Sequence, residues 1–279
     1  MSDRTHRFST IGRPIDPKYA SNRAIASLAL LVAVASFLVQ RLTGETPPAS
    51  FLRAILLGIG FFLAWAIARE LDPDHGASAF VAAGLSLIPL AMLARPDYAA
   101  VFLVLLALRI VNRTVGPAAR PLDSIAILAL VAVAAWRGSP LVAGAATIAF
   151  VLDGILKPGH RIHLPAAGVS LGLVAVAWSN LEGGLRSAPD SVDWLGLAAT
   201  LPFLLLIRTS GAPVSVSDAG GLRLSVARVR AAQWLGFLLL AALIVAEGRA
   251  GWSAASPLWA ALVGTGLFSL VGALSPDRH

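Results

Sequence analysis

The chain contains no cysteine among its 279 residues. Disulfides, thiolate metal sites and a cysteine nucleophile are therefore excluded. Lysine is nearly missing: Lys18 and Lys157 are the only two among 22 basic residues. With the surplus of alanine and leucine, this points to a GC-rich bacterial source. Charge of either sign is scarce, at 13%, and none falls near the middle of a long apolar run. Arg109, Asp123, Asp153, Arg228 and Arg230 come closest, each within about two turns of a run's end. Buried acids and bases at mid-depth mark proton and ion pathways, so their lack argues against a proton-coupled carrier. No polar stretch is long enough to form a separate soluble domain.

Apolar surface fills the rest. Hydrophobic residues make up 57% of the chain and the mean hydropathy is +0.78, whereas soluble domains average about 45–50% apolar. One soluble core cannot hide this much oil, so the expected solvent is a bilayer. The predicted fold is all-α, a polytopic transmembrane bundle of about ten helices joined by short loops. The expected spans are 24–42, 51–68, 77–94, 98–112, 121–136, 139–156, 163–179, 191–207, 226–247 and 254–274. Residues 1–23 form an N-terminal arm, 24–274 the bundle and 275–279 a tail. No small-residue cleavage site follows the first apolar run, so it reads as a retained helix rather than a secretory signal. Alternation of Val214, Val216, Leu222, Leu224 and Val226 with polar residues about Asp218-Ala-Gly-Gly predicts a small β-hairpin within 208–226.

Basic residues set the orientation, because Lys and Arg collect in short cytoplasmic segments. With the N-terminus inside, sixteen of the 22 lie on the cytoplasmic side and six, Arg41, Arg53, Arg95, Arg137, Arg186 and Arg249, on the other. Trp136, Trp178, Trp194, Trp252 and Trp259 fall near the outer boundary, where indoles settle among headgroups. The expected place is thus a bacterial inner membrane, crossed many times, with both termini cytoplasmic. The pI near 11.1 then reflects topology and contact with anionic lipid headgroups, not nucleic acid. Arg69, Arg113 and Lys157 follow one another at 44-residue steps, each at the inner end of an even-numbered span. Tightly connected helix pairs produce that period without duplication.

Four polar gaps carry whatever chemistry there is: 69–75, 109–124, 153–163 and 208–230. In the first, Glu70, Asp72 and Asp74 could hold Mg²⁺ through carboxylate oxygens. Against this, Asp72 could simply end a helix at Pro73, with Asp74 or Ser78 capping the next. In the second, Arg109, Asn112, Arg113 and Arg120 could cradle a phosphate, since guanidinium forks match its oxygens. Membrane anchoring is the plainer role, with Pro121 opening a helix whose first turn Asp123 stabilises. In the third, Asp153 pairs with Lys157 at i, i+4, and His160 and Asp153 are the candidate acid–base residues, beside His163. In the fourth, Arg223, Arg228 and Arg230 face headgroups. Gly168-x3-Gly172 and Ala143 to Ala146 predict close helix contacts.

Arg113-x6-Arg120-Pro121 followed by Lys157-Pro-Gly-His160 looks like two motifs of the membrane phosphatidate phosphatases. Their serine before Gly-His and their third motif have no counterpart here. Acids in the 69–75 and 153–163 gaps are faintly similar to membrane prenyltransferases with Asp-rich loops, again without the full pattern. The expectation is a protein that binds or transfers a phosphorylated or lipid-linked substrate at its cytoplasmic face. The alternatives are a small-solute permease of the ten-helix type and a non-catalytic membrane subunit.

Overall fold

The computed structural model describes residues 9–12, 15–181, 189–211, 213–217, 221 and 223–275. Twelve helices account for nearly all of the regular structure among them: α1 (Ala20–Leu42), α2 (Pro47–Leu71), α3 (Gly76–Met92), α4 (Tyr98–Asn112), α5 (Pro121–Trp136), α6 (Pro140–Ile155), α7 (His163–Ser179), α8 (Ser191–Ala198), α9 (Pro202–Thr209), α10 (Val226–Glu247), α11 (Arg249–Ala254) and α12 (Ser256–Leu274). The fold is all-α, as expected. Proline opens α2, α5, α6, α9 and α12, where its missing N–H would have no helical partner anyway. Asp97 and Asp190 cap α4 and α8, accepting from the backbone N–H groups of Ala99 and Ala100 and of Val192 and Asp193.

Each predicted span has a helix within a few residues of its bounds. The eighth is the exception in shape, because Pro202 divides it into α8 and α9. Five segments are long and apolar enough to cross a membrane: 20–42, 47–71, 191–209, 226–247 and 256–274. The other five, α3 to α7, are apolar but only 15–17 residues long, about 23–26 Å against a hydrocarbon core of about 30 Å.

Helices α2, α4, α10 and α12 carry most of the buried surface. α1 lies outside them, packed on α2 with only Ile25 buried. Close approach is concentrated on α12. A Cβ on Gly264 would sit 2.5 Å from the Ala82 Cα of α3, and one on Gly266 2.5 Å from the Phe203 nitrogen of α9. Gly168 and Gly172 do not serve this purpose: both are exposed with nothing within 4 Å of a built Cβ, since they lie on the outer side of α7. Ala143, Ala145 and Ala146 are buried, as predicted. Between α4, α6 and α10 the bundle's middle is filled by Leu103, Val104, Leu108, Val142 and Leu239, with no room for a water.

Chain reversals place the C-terminal ends of α2, α4, α6 and α9 beside the N-terminal ends of α3, α5, α7 and α10. At the opposite end three cations have acid partners. Arg53 meets Glu45 at 3.0 Å, Arg137 meets Asp97 at 2.7 Å, and Arg249 meets Asp190 at 3.0 Å and Asp193 at 2.7 Å. Trp136, Trp178 and Trp194 are exposed there. Trp259 instead is buried and donates to the Gly196 carbonyl at 2.7 Å. Trp252 packs on Trp259 with ring centroids 5.5 Å apart, so both indoles serve packing rather than a boundary. Among the described residues the predicted hairpin shows one antiparallel bridge, Val216 with Arg223. Its turn residues 218–220 and Leu222 lie outside the described residues, as do 1–8, 13–14, 182–188, Ala212 and 276–279.

Candidate functional site: a charged layer at one end of the bundle

All four polar gaps meet at the end formed by α2, α4, α6 and α9. They do so around two buried carboxylates and one small cavity.

The first carboxylate is Glu70, near the end of α2 and fully buried. Arg109 Nε donates to its Oε1 at 2.9 Å, and Asn112 Nδ2 donates to its Oε2 at 3.2 Å and to its backbone carbonyl at 2.9 Å. Thr114 Oγ1 donates to the same Oε2. Arg109 also reaches the Ile11 carbonyl at 3.2 Å, tying down the N-terminal arm. Two of the predicted phosphate ligands, Arg109 and Asn112, are therefore bonded to one of the predicted metal ligands. Burying a charge is tolerable only when it is paired and hydrogen-bonded, as Glu70 is here.

The second is Asp153, at the end of α6 and also fully buried. Its Oδ1 accepts from Arg113 Nε at 2.8 Å and from Arg228 Nη1 at 2.6 Å, and its Oδ2 bonds His163 Nδ1 at 2.8 Å. His163 Nε2 continues to Ser124 Oγ at 2.9 Å. Arg228, 2% exposed, further donates to the carbonyls of Val111, Leu156 and Pro158 at 2.9, 2.6 and 2.7 Å. Lys157 lies exposed beyond the end of α6. The expected helical pair with Asp153 is replaced by partners from α4, α7 and α10, because the helix stops at Ile155. Likewise Arg228 points into the bundle instead of toward headgroups, while Arg223 and Arg230 are exposed.

Two guanidinium groups share this one carboxylate, so the cluster carries surplus positive charge. Arg113 Nη2 comes within 2.8 Å of the same Oδ1 but off its N–H direction, and is a buried donor without a hydrogen bond. His160 Nδ1 is likewise buried and unbonded. The His160 ring stands edge-on to His163, centroids 4.7 Å apart, and its backbone N–H donates to the Asp153 carbonyl at 3.0 Å. Burial, then the neighbouring His163 and Arg113, hold the His160 imidazole below its usual range despite the nearby Asp153. Arg113 has φ 56° and ψ 34° at the end of α4, the left-handed position that glycine normally fills. A bulky residue held there is strained, and such strain gathers at functional positions.

Asp153, His160 and His163 lie close enough to suggest a metal site. Asp153 and His163 are close because they bond each other, His163 being held in turn by the Ser124 hydroxyl, and the His160 ring stands edge-on to His163 without a bond. A divalent ion there would also face Arg113 and Arg228, so the donor set does not fit one. The order hydroxyl, imidazole, carboxylate is the one that activates a nucleophile. Ser124 is buried, however; here the chain of bonds clasps α5, α6 and α7 together.

Asp123 Oδ2 accepts from the Arg120 and Thr10 backbone N–H groups, both at 2.9 Å, so it stabilises the first turn of α5 as predicted. The Arg120 side chain is exposed. Asp72 ends α2, as expected, and its Oδ1 bonds His75 Nδ1 at 2.8 Å. Burial raises the Asp72 carboxyl above its usual range, although His75 and Ser78 pull it back. Asp74 does not cap α3. Its oxygens accept from the backbone N–H groups of Val214 at 3.3 Å and Ser215 at 2.8 Å, and these bonds outweigh its burial to hold its carboxyl low. Ser78 donates to the His75 carbonyl at 2.7 Å. The three acids proposed for a metal thus serve separate partners. Beside Asp72 lies a cavity of about 120 Å³, lined among others by His75, Thr209, Ser210 and Gln233.

Sequence reasoning missed Ser124, Thr114 and the inward course of Arg228. The signal for Arg228 was present: a cation in the first turn of a helix opposes the macrodipole, which implies a nearby acid. No family model matches the chain, and no curated protein or solved structure does either.

Proposed function

We propose that the chain is a ten-pass protein of a bacterial inner membrane. Residues 1–23 and 275–279 lie in the cytoplasm around the 24–274 bundle, and the charged end binds the phosphate of a phosphorylated or lipid-linked substrate. What supports the sidedness is the balance of charge. Among the described residues the charged end carries twelve basic and six acidic residues, the other end five of each, and the bilayer's anionic inner surface favours the former. The exposed Lys157, Arg161, Arg208, Arg223 and Arg230 would lie among headgroups. Packing at the bundle's middle favours this reading over a permease.

The observation that carries the ligand class is a cluster whose positive charge exceeds its negative, in which Arg113 Nη2 has an ion-pair contact with Asp153 at 2.8 Å but no directed hydrogen bond. An anion with several acceptor oxygens satisfies both that donor and His160. Arg109 and Asn112 position the rim through Glu70, and Arg120 reaches the ligand from the surface. Asp153 orients His163, and His160 is the group placed to exchange a proton with the bound phosphate. The test is retention of phosphatidic acid against phosphatidylcholine by the purified protein, read by native mass spectrometry. Arg113→Gly keeps a backbone suited to φ 56° and should weaken phosphatidic acid binding about tenfold, the worth of one charge-assisted hydrogen bond. Inorganic phosphate should compete. Equal binding by folded Arg113→Gly protein would end the proposal.

A further inference from the structure

The cavity beside Asp72 has the opposite chemistry, and we propose that it binds a small monovalent cation of the Na⁺ type. The argument rests on which hydrogen-bonding groups around it are already used. Gln233 Nε2 donates to the Leu71 carbonyl at 2.8 Å and to Ser210 Oγ at 3.1 Å. The carbonyl partner fixes which end of the amide is nitrogen, so Oε1 is an acceptor, and it is buried without a partner. Ser210 Oγ donates to the Leu206 carbonyl at 2.7 Å and Thr209 Oγ1 to the Leu205 carbonyl at 2.8 Å, leaving lone pairs on both hydroxyls. Asp72, 3% exposed, has Oδ1 bonded to His75, and its Oδ2 is buried without a hydrogen bond, the neighbouring Ser78 hydroxyl being directed to the His75 carbonyl. The His75 tautomer that donates to a carboxylate through Nδ1 keeps an acceptor at Nε2.

The lining residues therefore carry unmet acceptors while these donors are spent. Carboxylate, amide and hydroxyl oxygens together suit a hard cation. The cavity, about 120 Å³, has space for an ion and a few waters at roughly 30 Å³ each. Asp72 and Asp74 both line the cavity, and the Arg230 guanidinium beside it offsets one of their charges, so one negative charge is left for a monovalent ion to balance. A divalent ion would leave surplus charge close to Arg230, whose guanidinium holds the Ser210 carbonyl at 2.6 Å. Asp74 fixes the chain at Val214 and Ser215, and Ser215 Oγ donates to the Pro73 carbonyl at 2.9 Å, close to Gly211 and Pro213 of the cavity lining. An ion here would join the ends of α2 and α9 to the first turns of α10. It is independent of the phosphate reading.

The experiment measures ²²Na⁺ binding to the purified full chain in detergent, with thermal unfolding in LiCl, NaCl, KCl, MgCl₂ and choline chloride at one ionic strength. Wild-type protein should bind one Na⁺ saturably and gain about 5 °C in Tm over choline at saturation. Asp72→Asn should bind at least tenfold more weakly with its Tm in choline unchanged. Should Asp72→Asn fail to fold, Thr209→Val, at an exposed position, should weaken binding severalfold. No saturable Na⁺ binding by folded wild-type protein overturns the proposal. So does preferential displacement of Na⁺ by equimolar Mg²⁺, or binding unchanged in whichever of the two variants folds.

Discussion

Replacing Asp153 by alanine removes the one acceptor shared by Arg113, Arg228 and His163. Arg228 keeps its backbone carbonyl partners, which satisfy N–H groups without neutralising the guanidinium. The variant leaves two like charges and an imidazole in a buried pocket, and breaking a buried pair from one side costs about 3–5 kcal/mol. Arg113→Gly is a different perturbation at the same carboxylate. It forfeits a charged hydrogen bond of about 1.5–3 kcal/mol but releases a left-handed backbone strain of about 1–2 kcal/mol, and Asp153 keeps two partners. Its net cost should be about 1 kcal/mol. At about 2–4 °C per kcal/mol for a chain of this size, Asp153→Ala should lower Tm by about 10–15 °C and Arg113→Gly by about 2–4 °C. Adding Arg113→Gly to Asp153→Ala should recover part of the loss, because one uncompensated cation leaves with it. Unfolding of detergent-solubilised protein followed by tryptophan fluorescence reports all three. Equal costs for the two single variants, or a double variant that loses their full sum, would refute the two-cations-on-one-carboxylate account.

Helix packing predicts that Gly264→Ala, whose Cβ would meet the α3 backbone, costs about 1–3 kcal/mol, and that Gly168→Ala, in open space, leaves Tm within about 2 °C. Comparable Tm values for the two would contradict the contact. His160 titrates below the usual 6.5 when folded, so the unfolded chain takes up its proton first as pH falls. Stability from this group is therefore complete above pH 6.5 and is lost as pH drops toward the folded pKa. His160→Asn should flatten that part of the Tm profile between pH 7 and 5; an unchanged slope would mean the histidine is not in this environment.

Helix positions were legible because apolar runs of nearly bilayer length leave few other conformations, and prolines and capping aspartates punctuate them. Asp153, His160 and Arg113 were also visible as polar residues at the ends of those runs. Their partners were not. Asp153 has a basic residue four places on, and local spacing assigns it Lys157; the actual partners come from 40 and 75 residues further along the chain in either direction. Glu70 and Arg109 stand in different gaps, and only the meeting of α2 and α4 joins them. Glycine spacing misled for a related reason. Gly168-x3-Gly172 has the right period but faces outward, whereas Gly264 and Gly266, two residues apart, approach backbones on two different helices. Periodicity describes a face of one helix and says nothing about which neighbour covers it.

The central claim is sidedness, and the cysteine-free chain makes it directly measurable. A single cysteine placed at Arg161, exposed at the charged end, or at Ser179, exposed at the other, can be probed in intact spheroplasts with a membrane-impermeant maleimide. Ser179→Cys should label at once and Arg161→Cys only after the membrane is permeabilised. Labelling of Arg161→Cys from outside, with Ser179→Cys protected, would contradict the orientation on which the phosphate site depends.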